Sequence, residues 1–209
     1  MDLKERWLVT IIVLGIVLCG CTPRSRYERK LKHELSSGVR CDSLFMGIYL
    51  GMSQKDFYTQ CWKLNQKGLV KQGSSNMTVQ YKTRGELKHP ATMDFYPGFK
   101  NGRIAEMPVK FAYSGWAPWN RELSSDKLEE DVLSWYKRIY GYGFITVKDP
   151  VKGIAFVKID GNRRISIYKE NDLYVWALFT DLIAARDSLS SVSRMNDSIV
   201  KPGGNPVTK

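Results

Sequence analysis

The spacing of apolar positions divides this 209-residue chain into segments of different character. Residues 7–18 are apolar almost without interruption, behind a short charged start that contains Lys4 and Arg6. A membrane-spanning helix needs roughly 20 such residues, whereas this run of about a dozen has the length of a signal-peptide core. Residues 22–40 then turn polar and end in Ser36-Ser37-Gly38. From Ser53 the apolar positions take helical spacing: Phe57, Cys61 and Leu64 form one stripe, with Tyr58 and Trp62 beside it. Ser53 is a good N-cap, and Asp56 stands where it can return a bond to the cap's own amide. A second helix is expected from Ser125 or Asp126, with Leu128, Val132, Trp135, Tyr136 and Ile139 on its apolar face. Each helix precedes segments of strand character. The first is followed by 78–83, 92–96 and 104–113, the second by 144–148, 154–159, 164–169 and 173–179. Asp160-Gly161-Asn162 and Glu170-Asn171-Asp172 are hairpin signals, and Pro97 to Gly102 reads as a turn. Short turns imply an antiparallel sheet.

The pattern predicts an α+β fold: two tandem units, each a helix followed by an antiparallel β-meander, with the helices packed on one sheet face. The units would span 42–108 and 109–181 inside a single domain at 41–186. Leu182, Ala185, Leu189 and Val192 have the spacing of a short helix. Residues 187–209, with Pro202-Gly203-Gly204-Asn205-Pro206, read as a polar flexible tail.

Leu18-Cys19-Gly20-Cys21 resembles the bacterial lipobox, in which an apolar residue and a small residue precede an invariant cysteine. Cys21 would carry the diglyceride on its sulfur, and Gly20 would let the peptidase approach the bond. The resemblance makes residues 1–20 a lipoprotein signal peptide and Cys21 the lipidation site. The domain is then exported, held to a membrane by acyl chains, and faces the periplasm or the cell surface. The net charge of +11 is densest in the expected tether, 21–40, at Arg24, Arg26, Arg29, Lys30, Lys32 and Arg40. Such a segment either lies along lipid headgroups or anionic glycan, or is a solvated linker. Nucleic acid is not an expected partner of an exported protein.

Little in the chain points to catalysis. Cys41 and Cys61 either close a disulfide in an oxidising compartment or remain buried thiols. His33 and His89 lie near no cysteine pair with ligand spacing, so no metal is expected. No phosphate loop, dinucleotide fingerprint or nucleophile elbow occurs, and no cofactor is expected. Glu129, Glu130 and Asp131 look like a carboxylate cluster, but they lie near a helix N-terminus, where the dipole favours negative charge.

Leu50-Gly51-Met52-Ser53 opening a helix before a strand meander resembles the Gly-Met-Thr opening of the small lipoprotein of the outer-membrane barrel-assembly machinery. The doubled helix-plus-sheet unit resembles the β-lactamase-inhibitor-protein fold. The chain as a whole is similar to uncharacterised Bacteroides-type lipoproteins. The second unit lacks the motif and reads Trp119-Asn120-Arg121-Glu122 before its helix, so no site residue carries over. The resemblance implies a binding or assembly module.

Aromatic residues supply the candidate binding positions. Trp116 and Trp119 sit in a Pro- and Gly-punctuated loop, where they either stack on a sugar or anchor a partner, or fold back over the core edge. In the last strand Val175, Ala177 and Phe179 face one way, while Tyr174, Trp176 and Leu178 face the other. An apolar second face is either covered or used for binding. The expected function is therefore non-catalytic binding of a protein or envelope component by a lipid-anchored envelope lipoprotein. The alternative is an envelope glycan-binding protein or glycan-active enzyme, which a groove lined by Trp116, Trp119 and paired carboxylates would favour.

Overall fold

Local capping fixes the first helix of the domain where the sequence places it. The structure is a computed structural model that describes residues 23–73, 77–149 and 153–186. The expected signal segment at 1–20, Cys21 and the expected tail at 187–209 lie outside the described residues. Helix α2 (Gln54–Gln66) starts behind Ser53, whose side chain accepts from the Asp56 amide. Asp56 answers the cap differently from expectation: its carboxylate accepts from the Ser53 hydroxyl at 2.7 Å. Helix α3 (Ser125–Tyr140) is capped by Ser124 without a side-chain bond. Its Leu128, Val132 and Tyr136 are buried and Trp135 is half-buried, whereas Ile139, expected on the same face, is 52% exposed.

Among the described residues nine strands form one antiparallel sheet: β1 (Val70–Gln72), β2 (Val79–Lys82), β3 (Ala91–Phe95), β4 (Gly98–Lys100), β5 (Arg103–Tyr113), β6 (Ile145–Asp149), β7 (Gly153–Asp160), β8 (Arg163–Lys169) and β9 (Val175–Asp181). Their order is β1-β2-β3-β5-β9-β8-β7-β6, with β4 folded onto β5. The fold is thus α+β. β1 and β4 carry only three residues each, too few to show a period of two. β4 belongs to a tight hairpin within the expected turn, where Asn101 and Gly102 both take positive φ, as a two-residue type I′ hairpin demands. β5 runs unbroken through positions 108 and 109, so the two expected units cannot divide there.

Pairing registers place Phe95, Val109, Ala177 and Ile167 in one row across the sheet, with Met93, Phe111 and Val175 in the next. All seven are buried in the main core. Phe57 and Leu64 of α2 join this core, as do Leu128, Val132 and Tyr136 of α3. Tyr136 stacks at 5.8 Å from Phe179 and 6.1 Å from Phe111. Both helices therefore cover the face that carries Val175 and Phe179.

The opposite face holds the largest departure from the sequence reading. Residues 23–36, expected as part of a tether, form helix α1 (Pro23–Ser36). It lies against β6 and β7. Tyr27, Leu31 and Leu35 pack on Ala155, Val157 and Ile159, joined by the buried Leu182. The physical reason is the spacing of those three apolar residues at i, i+4 and i+8, one narrow stripe in an otherwise charged segment. The β7–β8 turn clamps this helix. The Gly161 amide donates to the Glu34 carboxylate at 2.7 Å, and the Cys41 amide donates to Asn162 Oδ1 at 2.7 Å. Asn162 Nδ2 donates to Asp42 at 2.8 Å. Gly161 sits at φ +54°, and a Cβ there would stand 2.3 Å from the Val39 carbonyl oxygen. Only glycine fits that approach. Residues 182–186 begin the expected short helix, and its remainder falls outside the described residues.

Candidate functional site

A groove lies between α2 and the sheet edge formed by β1 and β2. Gly68, at φ +63°, turns the chain out of α2, and Asn65 Nδ2 donates to the Val70 carbonyl at 2.9 Å. These bonds hold β1 at a fixed offset from the helix and leave a groove of about 540 Å³. Phe57, Cys61, Val70 and Val79 contribute its apolar lining, with Tyr58, Trp62, Met77 and Tyr96 around them and Asn65, Lys71, Gln72 and Thr78 as the polar members. Trp62 is 60% exposed and Met77 66%. Side chains of that size left in water on both sides of one groove contrast with the buried Phe57 between them. The Tyr58 and Tyr96 hydroxyls share a hydrogen bond of 2.8 Å, and Gln54 Nε2 reaches Tyr58 at 3.0 Å, which fixes those rings. β1 ends the strand order, so one of its sides faces no other named strand. The groove thus offers large apolar surfaces beside a strand edge, the elements of extended-peptide recognition.

Burial pushes the Cys61 thiol up to about 11, so it is protonated and a poor nucleophile at neutral pH. Cys41 and Cys61 are free thiols in the structure, not a disulfide. Cys41 is pinned to the β7–β8 turn through Asn162, whereas Cys61 faces the groove beside β1 and β2, near the opposite end of the sheet.

The other expected positions separate. Trp119 stands 85% exposed, while Trp116 in the same loop is half-buried. Neither lines a described groove with paired carboxylates. Tyr174 and Trp176 are both half-buried. Lys110 Nζ lies 4.6 Å from the Tyr174 ring centroid and 5.9 Å from that of Trp176. Of the two readings of their sheet face, covered or used for binding, the structure covers its β6–β7 side with α1. Trp62 and Met77 escaped the sequence reading as a site. Their signal was Tyr58 and Trp62 recurring four residues apart beside a stripe that already filled the core face of α2.

Asp131 and Asp181 have structural partners, whereas the buried Glu129 Oε1 has no hydrogen-bond partner among the described residues. Asp131 is buried and accepts from the Tyr113 hydroxyl at 2.6 Å and the Lys88 amide at 3.0 Å, with the Lys88 ammonium at 3.5 Å. It ties α3 to β5 and to the loop before β3 and does more than favour the helix dipole. Burial, and next the Asp131 carboxylate it donates to, hold the Tyr113 hydroxyl well above its usual range. Burial also raises Glu129. Glu106 and Asp181 line one smaller cavity of about 290 Å³. One Asp181 oxygen accepts from the Ile183 and Ala184 amides and the other pairs with Arg40 at 3.4 Å. His89 packs edge-on against Tyr113 at 5.5 Å. Among the described residues no group of three His, Cys, Asp or Glu could hold a metal ion. No helix among them is long and apolar enough to cross a membrane.

Comparison with protein-family models, curated proteins and solved structures finds no match for this chain.

Proposed function

We propose that this chain is a non-catalytic, lipid-anchored lipoprotein of the cell envelope that binds an extended apolar segment of a partner protein between α2 and the β1–β2 edge. The carrying observation is the groove itself: Trp62, Tyr58 and Met77 exposed beside a strand edge that faces no other strand among the described residues. A main chain laid along β1 would gain ladder bonds, and its side chains would enter the apolar cleft. Cys21 in its lipobox-like tetrad supports attachment by acyl chains, with the domain facing the periplasm or the cell surface.

The order of strands supports a finer reading of the fold. β1-β2-β3-β5 and β6-β7-β8-β9 run inward from the two sheet edges, each set preceded by one helix, and meet where β5 pairs β9. We read these as two tandem helix-plus-meander units divided after Tyr113, in the manner of the β-lactamase-inhibitor-protein fold. The binding-module reading agrees with that resemblance. The glycan alternative draws on the exposed Trp119 and on Trp62 beside Asn65, Gln72 and Thr78, since a tryptophan face with amide and hydroxyl neighbours also suits a sugar.

The test is affinity capture from native membranes with the whole chain and with Trp62→Ala. A central aromatic anchor contributes about 2 kcal/mol or more, so capture of the partner falls roughly thirtyfold while folding stability changes by less than about 0.5 kcal/mol. Undiminished capture by Trp62→Ala overturns the groove reading. Capture of envelope glycan, lost with the same substitution, selects the alternative.

A further inference from the structure

The side of the molecule that carries α1 is rich in exposed basic side chains, and α1 begins two residues after Cys21 in the chain. Tyr27, Leu31 and Leu35 turn α1 toward the sheet, which aims Arg26, Arg29 and Lys32 outward on the opposite side of the helix. All three are exposed. Within the helix, Glu28 pairs with Arg24, Arg29 donates to the Ser25 carbonyl, and Glu34 turns inward to Lys30 and the Gly161 amide. The same sheet face carries Lys82 and Lys110 at neighbouring register positions, against the exposed Glu106 and the buried Asp94, while Lys71 stands on the edge strand and also lines the groove.

We infer that this face is a docking surface for an anionic lipid bilayer, with α1 lying along the headgroups. The inference rests on the lipoprotein reading for its geometry. Pro23 opens α1 two residues after Cys21, a reach of about 7 Å of extended chain, so a lipid on that sulfur brings the helix to the headgroup layer. Charge complementarity supplies the rest, since each Lys or Arg near such a surface strengthens binding about fivefold. Because the Gly161–Glu34 bond and the Tyr27–Leu31–Leu35 stripe fasten α1 to the domain, the helix also sets the domain's pose. The sheet lies between the bilayer and α2, and the groove opens on the membrane-distal side.

The test uses the chain from residue 21 with Cys21→Ser, which keeps every described residue and removes any lipid. Sedimentation with phosphatidylglycerol–phosphatidylcholine vesicles is compared with pure phosphatidylcholine vesicles. Binding to the anionic vesicles is at least tenfold tighter and is lost at high salt. Arg26→Gln, Arg29→Gln and Lys32→Gln together weaken it roughly a hundredfold, because three cations act. The circular dichroism spectrum and melting temperature of the triple variant match those of the parent. A dye at position 33 is quenched by vesicle-borne quencher and a dye at position 62 is not. Equal binding to neutral vesicles, an unaffected triple variant, or binding only to acidic proteins or glycan overturns the proposal. Metabolic acyl labelling of the intact chain and of Cys21→Ser tests the lipid anchor separately, so each reading can fail alone.

Discussion

Helices α1 and α3 are of similar length and lie on opposite faces of one sheet, yet they are held by different forces. α3 buries Leu128, Val132 and Tyr136 completely against the main core, and its buried Asp131 binds Tyr113 and Lys88. α1 has no fully buried residue. Its three apolar side chains are only partly covered, and charged or polar bonds to the β7–β8 turn complete its docking. The hydrophobic contribution scales with area removed from water and is insensitive to salt, whereas exposed charge-assisted bonds are screened and titrate. α3 is therefore part of what makes the domain fold, and α1 is an attachment that conditions can loosen.

The largest break in this comparison comes from Leu128→Ala. Emptying a fully buried leucine site under α3 costs about 3–4 kcal/mol, read as a lower midpoint in chemical denaturation with the whole domain unfolding together. Gly161→Ala acts on the other side. Positive φ strain and a Cβ 2.3 Å from the Val39 oxygen cost about 2–3 kcal/mol together. Part of that cost appears as faster hydrogen exchange in α1, with α3 protected as before. If exchange rises equally in both helices, the two are one cooperative unit and the contrast fails.

Acid sharpens the difference further. The Lys30 side chain and then the Gly161 amide hold the Glu34 carboxyl below its ordinary value of 4.5. A depressed carboxyl stabilises the folded form fully above the unfolded value and loses that contribution as pH falls through the lower, folded one. α1 should thus loosen as pH drops below about 4.5, while Glu34→Gln weakens docking by about 1 kcal/mol and removes most of the pH dependence. Backbone exchange in α1 between pH 6 and pH 3 checks both. The smallest effect concerns the thiols. Cys41 and Cys61 should both react after denaturation without reductant, and in the folded protein Cys61 should react slowly because burial holds it protonated. A pair that labels only after reduction would show a bridge and overturn the free-thiol geometry.

The same contrast explains what the sequence made legible. α3 was readable because Leu128, Val132 and Tyr136 repeat at helical spacing behind a serine cap. The long strands were readable because their burial alternates, and β9 places Val175, Ala177 and Phe179 inward as expected. α1 hid because the charges of 22–40 dominate its composition, although Tyr27, Leu31 and Leu35 already marked a helix face. The groove hid for another reason. Trp62 and Met77 come from different elements, and only the offset between α2 and β1 makes them neighbours. The free thiols could not be chosen over a disulfide, because loop length alone does not say where two cysteines point.

The junction of β5 with β9 also decides when this protein can fold. Val109 meets Ala177, so the middle of the sheet is made by the strand that leaves the ribosome last among the nine. Until residue 181 has emerged, β5 has no β9 to pair with, and the buried row of Phe111, Val109 and Met107 lies open. Contacts so far apart in the chain form slowly. A chain crossing a membrane unfolded would gain from that delay, since its sheet could not close before the end of translocation. Shortening the chain before β9 would split the sheet down its centre and leave two strand sets without their common seam.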